Sequence, residues 1–246
     1  NSATVAGTAN AGGLIGLVQA TDDQEGAASV KLTESYNIGE VSAVTAGGLI
    51  GAAEIPNLAA ARNIEIANCY NAGVLEKGAN IVAKITAGNG QVVINKCVGI
   101  QFYYSVASGM VGTSTMAAGS TQTSGCSISN SYYYSMNPVY AFETGNCITG
   151  TATALNDVQI KTQSYFKDFD FDGIWALNAA ENGGYPYLKQ TTMLPVSYVA
   201  PTAGTVLMDS KTGGKYLVST RSKAVSYAGV LDEEITSVSI PSQVEI

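Results

Sequence analysis

The 246-residue chain contains no histidine. That absence excludes Ser-His and Cys-His nucleophile pairs, histidine general bases and histidine-ligated zinc. Charge is scarce as well: 13% of residues are Asp, Glu, Lys or Arg, about half the usual share. From Cys97 to Phe142 the chain carries no charged side chain across 46 residues. Even there no apolar run approaches the roughly 20 residues of a membrane-spanning helix, because Gly, Ser, Thr, Asn and Gln interrupt it. Twelve basic residues stand against 19 acidic ones, for a net charge of −7. Phosphate recognition needs clustered Lys and Arg, and none cluster, so no nucleic-acid partner is expected. The four cysteines, Cys69, Cys97, Cys126 and Cys147, form no CxxC pair. A metal site is thus weakly supported, and no cofactor is implied. At 46% hydrophobic residues the chain is nonetheless too apolar for disorder.

What is present is repetition. AGGLIG stands at residues 11–16 and again at 46–51, followed by SYNIGEV (35–41) and CYNAGVL (69–75) respectively. A worn third copy reads GANIVA (78–83), then CVGIQFYY (97–104); a fourth reads ASGMVG (107–112), then SYYYSM (131–136). First boxes begin 35, 32 and 29 residues apart, and the length changes fall in the gap between boxes. Stacked structural repeats vary in this way. Helical repeats are excluded by alternation such as SVKLTESYN and by β-branched runs such as VVIN, bounded by Gly and Asn turns. Each repeat offers three short strands, from the first box, the gap and the second box. Copies stack in parallel about 4.8 Å apart.

The predicted fold is therefore all-β, a parallel β-helix or solenoid of about four coils. Leu14, Leu49, Ile81 and Met110 are expected in one interior file. Ile15, Ile50, Val82 and Val111 are expected on the other face of that strand. Ser35, Cys69, Cys97 and Ser131 share a position that wants a small side chain, which makes Cys69 and Cys97 small buried hydrophobes. Cys126 and Cys147 fall outside that ladder, which leaves a disulfide between them open.

A solenoid's last coil needs a cap. Residues 149–188 suit one: Asn156 can cap a helix over 157–166 with Asp157 in its first turn. Phe166, Phe169, Phe171, Trp175, Tyr185 and Tyr187 then plug the open end of the core. The predicted domains are 1–190, the capped solenoid, and 191–246, a small β module after the Pro195–Pro201 linker. In the latter, 204–219 reads as a hairpin turning at 211–214, with AVSYAGV and ITSVSIPSQVEI as further strands.

The two boxes resemble the GLUG repeat of bacterial surface proteins, whose pattern runs Gly-Gly-Leu-Val/Ile-Gly and then Ser/Asn-Cys/Ser-Tyr-x-x-Gly-x-Val. Residues 11–16, 35–41, 46–51 and 68–74 carry the match; the third copy has lost its glycines. Residues 149–188 resemble the segment that closes such arrays, and VSIPSQVEI resembles the lead-in to a bacterial surface leucine-rich-repeat region. The resemblance implies an extracellular, cell-wall or surface-attached protein, of which this chain, beginning in mid-pattern at Asn1, is one piece. It implies a non-catalytic spacer and interaction scaffold, monomeric, with an extracellular protein or glycan as partner and no membrane insertion by this segment. Two alternatives stand beside it. One is an accessory region of a secreted enzyme such as an immunoglobulin A1 metalloprotease, whose His-Glu-x-x-His motif a histidine-free chain cannot hold. The other is a carbohydrate-binding module using surface tyrosines.

Chemistry-bearing constellations are few. DFDFDG (168–173) spaces Asp168, Asp170 and Asp172 as positions 1, 3 and 5 of a calcium loop, with Gly173 at the turn. The twelfth place, where an EF-hand needs a carboxylate, is Ala179. The competing reading is a strand with Phe169 and Phe171 inward and the aspartates in water. Asp22, Asp23 and Glu25 form a second acidic group in the first gap. Lys31, Arg62, Lys77, Lys84 and Lys96 fall at different coil positions, so no convergent catalytic set emerges and no enzyme is expected. Tyrosine is rigid and amphipathic and stacks on sugar rings. Tyr103 and Tyr133, from the clusters at 101–104 and 131–140, are therefore the candidate ligand contacts.

Overall fold

The computed structural model describes residues 1–21, 29–75, 78–100, 107–134, 142–145, 147–189, 206–209, 214–218 and 225–230. The first compact unit, Asn1–Val196, is a parallel β-solenoid followed by a folded aromatic segment. Each coil contributes more strands than the three expected. The first face stacks Asn10–Gly12, Thr45–Gly47, Gly78–Ala79 and Ala107–Ser108. The second stacks Ile15–Gln19, Ile50–Ile55, Val82–Ala87, Val111–Met116 and Phe142–Gly145. On the third lie Ser29–Thr33, Arg62–Ala67, Gly90–Asn95 and the first half of Cys126–Tyr134. The fourth holds Tyr36–Asn37, Tyr70–Asn71, Val98–Gly99 and the second half of Cys126–Tyr134. Ile148–Leu155 pairs with both halves of Cys126–Tyr134 and so adds a rung to the last two faces. All these pairings are parallel.

The spacing of the sequence boxes is the register of the sheet. Ile15, Ile50, Val82 and Val111 are direct partners on successive rungs. Just before them, Leu14, Leu49, Ile81 and Met110 form the expected file. The Leu49 carbonyl accepts from Leu14 N, Ile81 from Leu49 N, and Met110 from Ile81 N, at 3.0, 3.3 and 3.0 Å. The same carbonyls accept from Ile15, Ile50 and Val82 N. Leu49, Ile81 and Met110 are buried, with Leu14 packed against them at the first rung.

Ile50, Val82 and Val111 do not lie on an opposite, outer face: they are buried in the same core. The box is not one strand. The chain bends at Gly48-Leu49 between two strands, and a bend breaks the period-2 alternation that would have sent consecutive residues to opposite faces. Each such buried aliphatic contributes about 1.5–3 kcal/mol relative to exposure.

A second corner, between the third and fourth faces, explains the small-residue position. Glu34, Asn68, Lys96 and Asn130 all adopt left-handed backbone, with φ of 47, 51, 53 and 44°. The next residues, Ser35, Cys69, Cys97 and Ser131, turn back and donate to the carbonyls of Thr33, Ala67, Asn95 and Ser129. The position therefore requires a side chain that is small and also a donor. Without it the corner carbonyl would lose a partner inside the fold.

The third repeat's missing glycine has a compensating partner. Gly13 and Gly48 leave room for the buried amides of Asn37 and Asn71; a Cβ on either would lie 2.4 or 2.3 Å from the asparagine Cγ. In the third coil the roles reverse. Asn80 comes from the first box and Gly99 from the second, and a Cβ on Gly99 would stand 2.7 Å from Asn80 Cβ. In the fourth coil Gly109 faces the Tyr133 ring. One slot per coil thus takes one side chain, from either box. The amides form a chain: Asn1 Nδ2 donates to Asn37, Asn37 to Asn71 and Asn71 to Asn80, each at 3.0 Å, and Asn80 donates to the Gly109 carbonyl. Asn37 and Asn71 also accept from the N–H of Gly39 and Gly73. Buried amides so satisfied stabilise; one left unpaired costs.

Residues 156–189 depart from expectation in two ways. The helix is a single turn, Asp157–Ile160, although its Asn156–Gln159 capping box is complete. Thr162 in extended backbone separates it from a 3-10 turn at Gln163–Tyr165. Nor do the aromatics plug the open end. They lie along the fourth face and form a second core with Ile38, Tyr70, Val98, Ile100, Tyr132 and Leu155, which come from successive rungs. The reason is the outward side of that sheet. Tyr36, Tyr70, Val98 and Tyr132 are in register and apolar, so the flank itself requires cover.

The second unit, Ser197–Ile246, contains an antiparallel set of Val206–Asp209, Gly214–Val218 and Val225–Val230. Asp209 pairs with Gly214, the last residue of the expected 211–214 turn; residues 211–213, like the final ITSVSIPSQVEI, lie outside the described ones.

Candidate functional site: the tyrosine flank and the aspartate turn

Tyr103 lies outside the described residues, as do Asp22, Asp23 and Glu25. Tyr133 is placed clearly, and inside. It is 6% exposed, belongs to the main core and fills the fourth coil's slot against Gly109. Burial pushes its phenol above the ordinary value. A ligand-contact role for Tyr133 is thereby corrected: alternation along the strand turns Tyr132 outward and Tyr133 inward.

Tyr36, Tyr70, Tyr132 and Tyr134 face outward from the fourth face, into the second core. The Tyr36 and Tyr70 rings stack at 5.1 Å and 10°, as in-register parallel strands dictate. Tyr132 meets Phe166 and Phe169 edge-on at 4.9 and 5.6 Å, while its hydroxyl accepts from Lys167 N at 2.7 Å. Tyr70 contacts Trp175, whose indole N–H donates to Asn68 Oδ1 at 3.3 Å. The signal for these residues was in the boxes, since Tyr follows Ser or Cys in SYN, CYN and SYY.

The aspartates build turns. Asp168, itself left-handed at φ 62°, accepts from Asn130 Nδ2 at 3.1 Å. Asp170 Oδ1 accepts from the backbone N–H of Asp172 and Gly173 at 3.0 and 2.7 Å. The Asp172 carbonyl accepts from Lys189 Nζ. The expected strand is replaced by successive turns, though Phe169 is buried and Phe171 half-buried as that reading had them. Among the described residues no three carboxylate or thiol groups gather closely enough to share an ion.

All four cysteines are buried free thiols. Cys69 and Cys97 occupy adjoining rungs of the corner ladder. Burial drives the Cys97 thiol well up, as expected for an unreactive core thiol. Cys126 and Cys147, the pair left open for a disulfide, stand as thiols on adjoining rungs, where Cys126 N donates to the Cys147 carbonyl. Burial, with Cys147 nearby, pushes the Cys126 thiol up to about 12. Cys147 Sγ shares a hydrogen bond with Ser114 Oγ.

Of the basic residues, Lys31 pairs with Glu65 one rung away at 3.0 Å, an exposed pair of small energetic weight. Arg62 is buried beneath the third face. Among the described residues no helix is long and apolar enough to cross a membrane. No family model, curated protein or solved structure matches the chain.

Proposed function

We propose that this chain is a non-catalytic structural module of a bacterial cell-surface or secreted protein, a stiff spacer whose outward loops meet an extracellular protein or glycan. The observation that carries this reading is the rung-by-rung register around a closed core. Each coil is held by its neighbours through backbone bonds, the Asn37–Asn71–Asn80 chain and the aliphatic file. A core organised this way leaves the loops between faces free to change without disturbing it. The GLUG-like boxes support the surface location, and the acidic, histidine-free composition accords with a role that needs no proton-transfer residue near neutrality.

Surface labelling tests it directly. An antibody against residues 1–196 should stain intact, unpermeabilised cells that make the protein, and brief external protease should remove the stain. Staining that requires permeabilisation would contradict the proposal. Immobilised matrix proteins and a glycan array then identify the partner class.

A further inference from the structure

The coils and the aromatic segment are attached by different bonds. Every coil strand is knitted to the next rung by backbone hydrogen bonds. The backbone-to-backbone bonds described for residues 156–189 instead close within that segment. Ile160 N reaches Asn156, Phe166 N reaches Gln163, Ile174 and Trp175 N reach Asp170, and Lys189 N reaches Ile174. Its one strand pair, Trp175–Ala176 with Tyr187–Leu188, is also internal. Further ties, Tyr185 to Asp157 and Lys161 to Asp157, stay inside it. It meets the coils through rings and through bonds involving side chains, among them Trp175 to Asn68, Asn130 to Asp168, Lys167 N to Tyr132, and a hydroxyl–hydroxyl bond between Tyr134 and Tyr185.

We propose that residues 156–189 are a releasable strap: a self-contained lid that docks on the fourth face and opens as one unit while the coils stay closed. The occupant of the flank is this segment of the chain itself. Opening it leaves every ladder bond of the solenoid in place, because none of the bonds described for the strap belongs to that ladder. Local opening of this kind follows the boundary between cooperative units. The surface uncovered would carry two files, one through the in-register Tyr36, Tyr70, Val98 and Tyr132 and one through Ile38, Ala72 and Ile100. This inference does not depend on where the protein resides.

The chain carries its own reporter, since Trp175 is the sole tryptophan, is wholly buried and stands at the strap–coil contact. Hydrogen exchange of the full chain in native buffer should show amides of 160–189 exchanging together. They should exchange at least tenfold faster than those of 50–55, 82–87 and 90–95. In a urea titration, the red shift of Trp175 emission should precede the loss of strand circular dichroism. Tyr132→Phe, which removes only the hydroxyl that accepts from Lys167 N, should move the first transition to lower urea and leave the second unchanged. Coincident transitions in the parent chain, strap amides as protected as the coils, or an equal shift of both transitions in Tyr132→Phe would overturn the proposal.

Discussion

The coils and the strap reach similar burial by opposite means. A coil residue is held because the same position recurs one rung away: Leu49 lies between Leu14 and Ile81, and Asn71 between Asn37 and Asn80. A strap residue is held by contacts made once, such as Trp175 with Tyr70 and Asn68. Repetition spreads the consequence of a change along the stack, whereas a unique contact confines it. Substitutions in the two regions should therefore differ in which transition they move.

The largest effect is expected at a coil corner. A Cβ on Gly47 would lie 1.8 Å from the Ile50 carbonyl oxygen, and backbone cannot yield as a side-chain tip can. Gly47→Ala should cost about 3 kcal/mol or more, read as loss of the cooperative circular-dichroism transition. Next comes the file: Leu49→Ala or Ile81→Ala should each cost about 2–5 kcal/mol, lowering the coil transition and, with it, the strap that rests on the coils. Asn71→Ala removes the acceptor for Asn37 and for Gly73 N. It should cost about 1–3 kcal/mol, the penalty of buried polar groups left without partners. If Asn71→Ala moved only the Trp175 signal, the separation of coil from strap would fail.

The smallest effect is a pH dependence confined to the strap. Burial pushes the Asp157 carboxyl up, but the Lys161 ammonium at 2.9 Å and the Tyr185 hydroxyl at 3.0 Å pull it down further. Its folded value therefore sits below the ordinary one. A depressed folded value stabilises at pH above the unfolded value, and that contribution is lost as pH falls through the folded one. Below about pH 4, near the unfolded carboxyl range, the Trp175 transition should slip to lower urea. Asp157→Asn should remove that slip and leave the coil transition's own pH response unchanged.

The same contrast governs how much was readable beforehand. The coil register was legible because box spacing is strand register: residues 35, 32 and 29 apart are direct partners. Faces were less legible. Alternation assigns Ile50 outward, but a bend inside the box turns it in, and bends leave only a glycine behind as their mark. The donor requirement at Ser35, Cys69, Cys97 and Ser131 was half visible as a preference for small residues; the left-handed residue before it was invisible, since Glu34, Asn68, Lys96 and Asn130 share little chemistry. Tyr133 is not separable from its neighbours in sequence because SYYY offers three equivalent rings, and only pairing with Val98–Gly99 decides which one faces in. The strap's aromatics were legible as a cover, but not what they cover, because a flank made of one tyrosine per repeat is not contiguous in sequence.

Removal of one whole turn tests the central claim most directly. Thr33 and Ala67 are partners on neighbouring rungs, so deleting residues 34–67 joins Thr33 to Asn68 and leaves Gly13 facing Asn71. If coils stack in register, the shortened chain folds with the same strand signature, a cooperative melt and a buried Trp175. Deleting 34–68 instead shifts the register by one residue and should abolish folding. Equal collapse of both deletions, or equal tolerance of both, would contradict the account.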